Sequence, residues 1–145
     1  MAESSVHAHK VPLRWSDFDR YGHVMNANYV EIAQEARLAF AEDAFTSKGI
    51  DFAAFVRHLE LDFRLPIKAQ GNTELLVESV VSEIGTTSFV TRQEIKDYQG
   101  NTACVVETTQ VTVDLLMGRP RPLTDQEKAI LSDIGAADNS AQAEQ

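Results

Sequence analysis

Between Asp17 and Asn28 the chain reads D-F-D-R-Y-G-H-V-M-N-A-N: two acids, a glycine, a histidine and two asparagines directly ahead of an amphipathic run. A carboxylate can attack an electrophile or take a proton from water, and the unpaired N–H groups of a helix start can hold a growing negative charge. Asp19 and the segment around Asn26 suit those two tasks if the chain bends between them at Gly22. His23, whose residue type ordinarily titrates near neutrality, is a candidate accessory group. The same residue types also cap turns and begin helices, and turn chemistry alone favours that plainer role.

The elements that must position these residues are legible in the periodicity. From Tyr29, apolar or small side chains recur at Ile32, Ala33, Ala36 and Phe40, the spacing of one helical face. This predicts a helix from about Asn28 to Phe45, with Asn26 or Asn28 as N-cap and Gly49 ending the run. Beyond Pro66, the segments Thr73–Ile84, Ser88–Asp97 and Thr102–Leu116 are rich in β-branched residues, and Gly85 and Gly100 lie in the turns between them. Three consecutive antiparallel strands follow. In the last, Ala103, Val105, Val111, Val113 and Leu115 form the expected drier face, and Thr108, Gln110 and Thr112 the wetter one. His9–Ser16 and Phe55–Leu65 supply two further strands, and T-D-Q-E at Thr124–Glu127 caps a short helix within Leu123–Ile134.

One sheet burying one helix face is an α+β domain, expected over residues 10–134 between a polar leader, 1–9, and a loose tail, 135–145. With 145 residues, 43% of them hydrophobic, the chain is the size of one such domain. A single helix covers only part of such a sheet, so a homodimer joining equivalent edge strands, or a dimer of dimers, is expected. The net charge of -9 opposes nucleic acid and anionic lipid, so any anionic ligand must find clustered cations. The lone Cys104 reads as a buried residue, which suits the cytoplasm. No run is long and apolar enough for a membrane span. The His7-x-His9 pair lacks a third ligand, so no metal is expected. A G-x-S-x-G elbow, a P-loop and a dinucleotide fingerprint are all absent from the sequence.

The stretch from Arg14 to Tyr29, R-W-S-D-F-D-R-Y-G-H-V-M-N-A-N-Y, resembles the D-x-D-x-x-G block of the hotdog-fold acyl-CoA thioesterases, in particular their 4-hydroxybenzoyl-CoA thioesterase-like branch. The resemblance continues through E-A-R at Glu35–Arg37, I-G-T-T-S at Ile84–Ser88, V-T-V-D at Val111–Asp114 and G-R-P-R-P-L at Gly118–Leu123. It implies a mostly antiparallel five-stranded sheet wrapped around one long central helix. It also implies that Asp19 is the catalytic carboxylate and that the backbone N–H of Asn26 stands beside the thioester carbonyl. At Met25-Asn26-Ala27 the sequence departs from the bulkier residues of the aryl-specific branch.

The chemistry agrees with that implication. A thioester's leaving group is a thiolate, whose parent thiol has a pKa of about 8.5 in cysteine, so departure at neutral pH needs little help from an acid. Attack and oxyanion stabilisation remain, and spacing leaves open whether Asp19 attacks directly or acts as general base on water. No cofactor is expected beyond coenzyme A as part of the substrate, and Arg57, Arg64 and Arg92 are the candidate partners for its phosphates. Two other functions fit the same residues. Asp19 with His23 could handle water across a double bond, as in an enoyl-thioester hydratase or dehydratase; a pocket without catalysis would make an acyl-thioester binding module.

Overall fold

A computed structural model describes residues 6–134. The chain begins with β1 (His7–Pro12), makes a single 3-10 turn at Trp15–Asp17, and enters α1 (Asn26–Ala44). It continues through β2 (Ala54–Phe63), β3 (Glu74–Ile84), β4 (Ser88–Lys96) and β5 (Thr102–Asp114). A two-residue strand, β6 (Arg119–Pro120), and α2 (Asp125–Ser132) close it. All pairings are antiparallel, in the order β1-β3-β4-β5-β2, with β6 returning on β5. The three strands read from the β-branched runs are consecutive neighbours, as expected. The short β6 is an addition to the five strands expected.

β1 and β2 are the two edges, and α1 touches both: Tyr29 near its start meets Phe63 of β2, and Asp43 near its end pairs with His7 of β1. Nineteen residues are enough, since at about 1.5 Å per residue they extend roughly 28 Å. Tyr29, Ile32, Ala33, Ala36, Phe40 and Ala44 are buried beneath it. The alanines let backbone and sheet approach closely, while Ile32, 1% exposed, contributes about 2 kcal/mol by removal from water. The first half of α1 packs with Val11, Leu75, Val77, Ile95, Cys104 and Val106. Phe40, Ala44 and Phe45 pack with Val81, Phe89, Leu123 and Leu131, so α2 seals the far end. This is the hotdog architecture, a curled antiparallel sheet around one long helix.

Several expectations need correction. β1 takes in His7, Ala8 and His9, assigned above to a polar leader; their backbones pair with Ser79, Glu78 and Val77, which periodicity in so short a segment does not reveal. Residues 1–5 of the leader and residues 135–145 lie outside the described residues. α1 starts at Asn26, and its N-cap is Met25, with no side-chain capping bond. Gly49, with φ of 76°, ends a separate 3-10 turn at Thr46–Lys48. Most consequential is β5: Ala103, Val105 and Val113 of the drier face are buried as expected, but so are Cys104, Val106, Thr108 and Thr112, while Leu115 lies past the strand and is 69% exposed. Thr108 and Thr112 reach inward, Thr108 Oγ1 accepting from Arg37 and Thr112 Oγ1 donating to Arg121 O.

The capping box of α2 forms as read, with Glu127 N–H donating to Thr124 Oγ1 at 3.0 Å and Thr124 N–H donating to Glu127 Oε1 at 2.9 Å. Thr124→Ala should lower unfolding free energy by about 1 kcal/mol, read from urea denaturation, because one helix-start donor loses its partner.

Candidate active site

Asp17 is the anchor of the loop between β1 and α1. It is 1% exposed, and both carboxyl oxygens are occupied. Oδ2 accepts the Arg14 backbone N–H at 2.6 Å; Oδ1 accepts Arg14 Nη2 at 2.9 Å and Asn28 Nδ2 at 2.7 Å. Its carbonyl accepts the Met25 N–H at 2.8 Å. Asn28, expected as a cap, therefore ties the first turn of α1 to Asp17 instead. Burial pushes the Asp17 carboxyl up, but hydrogen bonds from Arg14 and Asn28 outweigh it and hold the group below the usual carboxylate range.

From this anchor the chain makes a tight excursion. Gly22, at φ of 76°, donates its N–H to the Asp19 carbonyl at 3.0 Å, the bend expected there. Asp19 N–H donates to His23 O at 2.8 Å, and Val24 N–H donates to Ile67 O at 2.8 Å, fixing the returning arm to the segment before β3. The Asp19 side chain is partly exposed. Its Oδ1 accepts N–H groups of Tyr21 at 2.8 Å and His23 at 3.1 Å, while Oδ2 has no partner among the described residues. The His23 N–H is the largest influence on the Asp19 carboxyl; with the Tyr21 N–H it outweighs partial desolvation and holds the pKa below its ordinary value. Asp19 is thus ionised at neutral pH with one oxygen available.

Asp19, His23 and Asn26 line one cavity of about 250 Å³ together with Val24, Tyr29, Phe63, Arg64, Leu65 and Pro66. As the first residue of α1, Asn26 has no intrahelical acceptor for its N–H. No side chain caps this end, and Asn26 brings the partial positive charge of the helix start to the cavity wall. A carboxylate and a helix start, each with an atom that has no partner among the described residues, therefore border one space. Tyr29 and Phe63 meet edge to face, 5.4 Å between ring centroids, and give it an apolar wall that periodicity reads only as core.

The candidate cations separate. Arg64 lines the cavity, with Nε donating to Asp62 Oδ2 at 2.9 Å. Arg57 stands exposed at a bulge of β2, and Arg92 is tied to Glu94 at 2.6 Å on β4; neither lines this cavity. His7 Nε2 pairs with Asp43 Oδ2 at 2.7 Å, so this histidine is engaged on α1.

The fold is of the hotdog class, and comparison with known proteins gives the family. The thioesterase-like superfamily matches residues 13–131, and the chain belongs to that family. It is a thioester hydrolase. No curated protein matches by sequence. Among solved structures it is similar to a thioesterase-superfamily protein from Jannaschia sp. CCS1, with 21% identity, a TM-score of 0.78, and 91% and 96% of the two chains covered. It is similar also to a thioesterase from Thermus thermophilus complexed with coenzyme A and Zn, at 24% identity, TM-score 0.75, covering 91% and 95%. A 1,4-dihydroxy-2-naphthoyl-CoA thioesterase from Synechocystis follows, at 20% identity, TM-score 0.72, covering 89% and 97%. At these identities the likeness is one of fold.

Asp17→Asn should destabilise the protein by about 2 kcal/mol in chemical denaturation, because it turns donors against buried donors. The sign with pH follows from the lowered pKa in the folded state. The wild-type contribution is present above the ordinary carboxylate pKa and lost as pH falls through the folded value. Asp17→Asn should remove that part of the acid sensitivity.

Proposed function

We propose that the protein hydrolyses acyl-CoA thioesters in the cavity between Asp19 and the start of α1. The observation that carries this reading is that Asp19 and Asn26 line the same space, the first with a free carboxylate oxygen and the second at an uncapped helix start. The thioester carbonyl oxygen accepts the Asn26 N–H, which is a donor aimed where charge develops. Asp19 Oδ2 then either attacks the carbonyl carbon, giving an anhydride that water opens, or takes a proton from the water that attacks. In both cases the C–S bond breaks and its electron pair leaves on sulfur as the coenzyme A thiolate. His23 holds the loop through its backbone N–H and lines the cavity as an accessory group.

Coenzyme A is the carrier this surface favours. An acidic carrier protein would meet the repulsion of a chain with net charge -9, whereas a small thioester needs only local cations. Arg64 at the cavity is the best placed of the three candidates for a phosphate, ahead of Arg57 and Arg92.

The working unit is a homodimer built through β2. That edge carries Phe55, 59% exposed, and Phe63, 48% exposed, with Val56 and Leu65 also open, whereas β1 at the other edge reads H-A-H-K-V-P. A long edge strand with exposed apolar side chains is a template for pairing.

Asp19→Asn should lower kcat for thiol release from acyl-CoA by about a hundredfold or more without moving the thermal unfolding midpoint. An unchanged rate removes Asp19 from the mechanism. Because the Asp19 pKa is held low, kcat/KM should stay level as pH falls from neutrality to about 5, and decline only as the folded pKa is approached. Light scattering should give about 32 kDa, twice the chain's 16.1 kDa.

A further inference from the structure

Arg37 is a buried cation with no ion pair among the described residues. It is 8% exposed on α1, and its hydrogen bonds among the described residues run from Nη1 to two neutral acceptors, Gln93 Oε1 at 3.1 Å and Thr108 Oγ1 at 3.2 Å. Gln93 is itself fixed, donating from Nε2 to Ala33 O at 3.0 Å and Ser79 Oγ at 3.2 Å. The guanidinium is thus held in place by uncharged groups, while Nε and Nη2 have no partner among the described residues. Burying a charge without an opposite one is costly, and Arg presents a planar fork matched to a carboxylate. Desolvation moves its pKa down from the ordinary arginine value.

Arg37 also lines an open cavity of about 460 Å³, whose other walls include Leu38, Phe52, Phe55, Gln34 and Gln110. Its surface is mostly apolar with a few converging polar groups, the usual make-up of a small-molecule site. Within one chain this cavity is remote from Asp19: Asn26 and Arg37 stand about 16 Å apart along α1. An antiparallel pairing of β2 with the β2 of a second copy changes that. It sets the end of one strand, where Phe63 borders the Asp19 cavity, against the start of the other, where Ala54–Val56 border the Arg37 cavity.

We propose that the Arg37 cavity is the acyl-binding subsite for the Asp19 centre of a second copy, and that it takes an acyl group bearing a carboxylate at its far end. The inference rests on the acyl-CoA reading and on the β2 dimer. Apolar side chains cover the methylene run, and the unused guanidinium donors of Arg37 receive the anion. A plain acyl chain of equal length fills the cavity but leaves Arg37 unneutralised.

The test compares butanoyl-, hexanoyl- and octanoyl-CoA with their ω-carboxylated counterparts succinyl-, adipoyl- and suberoyl-CoA, on wild type, Arg37→Gln and Arg37→Lys. At least one carboxylated member should exceed its plain partner in kcat/KM by about tenfold or more, the scale for a site built around a polar substrate group. Arg37→Gln should erase that ratio, and Arg37→Lys should retain part of it. Calorimetry with adipate against hexanoate on wild type is independent of turnover and of how the variants fold; adipate alone should bind saturably. Hydrolysis of plain chains with no carboxylate preference and no adipate binding overturns the subsite and leaves the thioesterase reading intact. Turnover of no acyl-CoA defeats that reading, and adipate calorimetry then decides on the Arg37 cavity by itself. Loss of the dimer in both variants, with the carboxylate preference absent in wild type, marks Arg37 as an interface group and contradicts the proposal.

Discussion

The site depends on the enclosure of Asp17. A carboxylate 1% exposed needs its acceptor capacity filled, and Arg14 and Asn28 fill it from opposite sides of the loop. Two consequences follow. Asn28 is drawn away from capping, so the start of α1 is left open. The loop between its two fixed ends is short, so Gly22 must turn it in a left-handed conformation and Asp19 is carried to the outer side. The structural acid and the proposed reactive acid are two residues apart, and hydrogen bonding separates them: one has every oxygen engaged, the other keeps Oδ2 without a partner among the described residues.

Crossing of the sheet by α1 does the rest. The first and middle turns of α1 lie along β2, where Tyr29 meets Phe63, and its last turn reaches β1, where Asp43 pairs with His7. The N-terminal end meets the Asp19 cavity at the finish of β2, and the middle of the helix meets the Arg37 cavity at the beginning of β2. The free edge strand thus has a distinct cavity at either end. In the proposed dimer a two-fold axis through that edge unites them, which gives the exposed Phe55 and Phe63 a purpose beyond association.

Much of this is legible in the sequence, for physical reasons. The apolar spacing from Tyr29 to Phe40 and the β-branched runs after Pro66 encode burial directly, so the helix and the three consecutive strands follow. The Thr124 cap is a local pattern and can be read locally. Asp19, Gly22 and Asn26 stand out because tight turns and helix starts demand particular residue types, aided by a resemblance in the same block. What the sequence hides depends on partners distant along the chain. His7–His9 are in a strand because of Val77–Ser79, and the inward reach of Thr108 reflects Arg37, 71 residues earlier. Alternation along β5 assigns polar residues to solvent, and it fails where a buried cation needs them. The separation of Arg64 from Arg57 and Arg92 likewise requires the folded chain.

The proposed catalysis turns on a spatial coincidence: a reacting carbonyl held between residue 19 and residue 26. A crystal structure with a ketone analogue of an acyl-CoA, its sulfur replaced by a methylene, tests it most directly. The ketone oxygen should lie within hydrogen-bond distance of Asn26 N, with the carbonyl carbon facing Asp19 Oδ2, directly or across one water. A ketone bound elsewhere, with Asp19 and Asn26 touching only solvent, would contradict that arrangement.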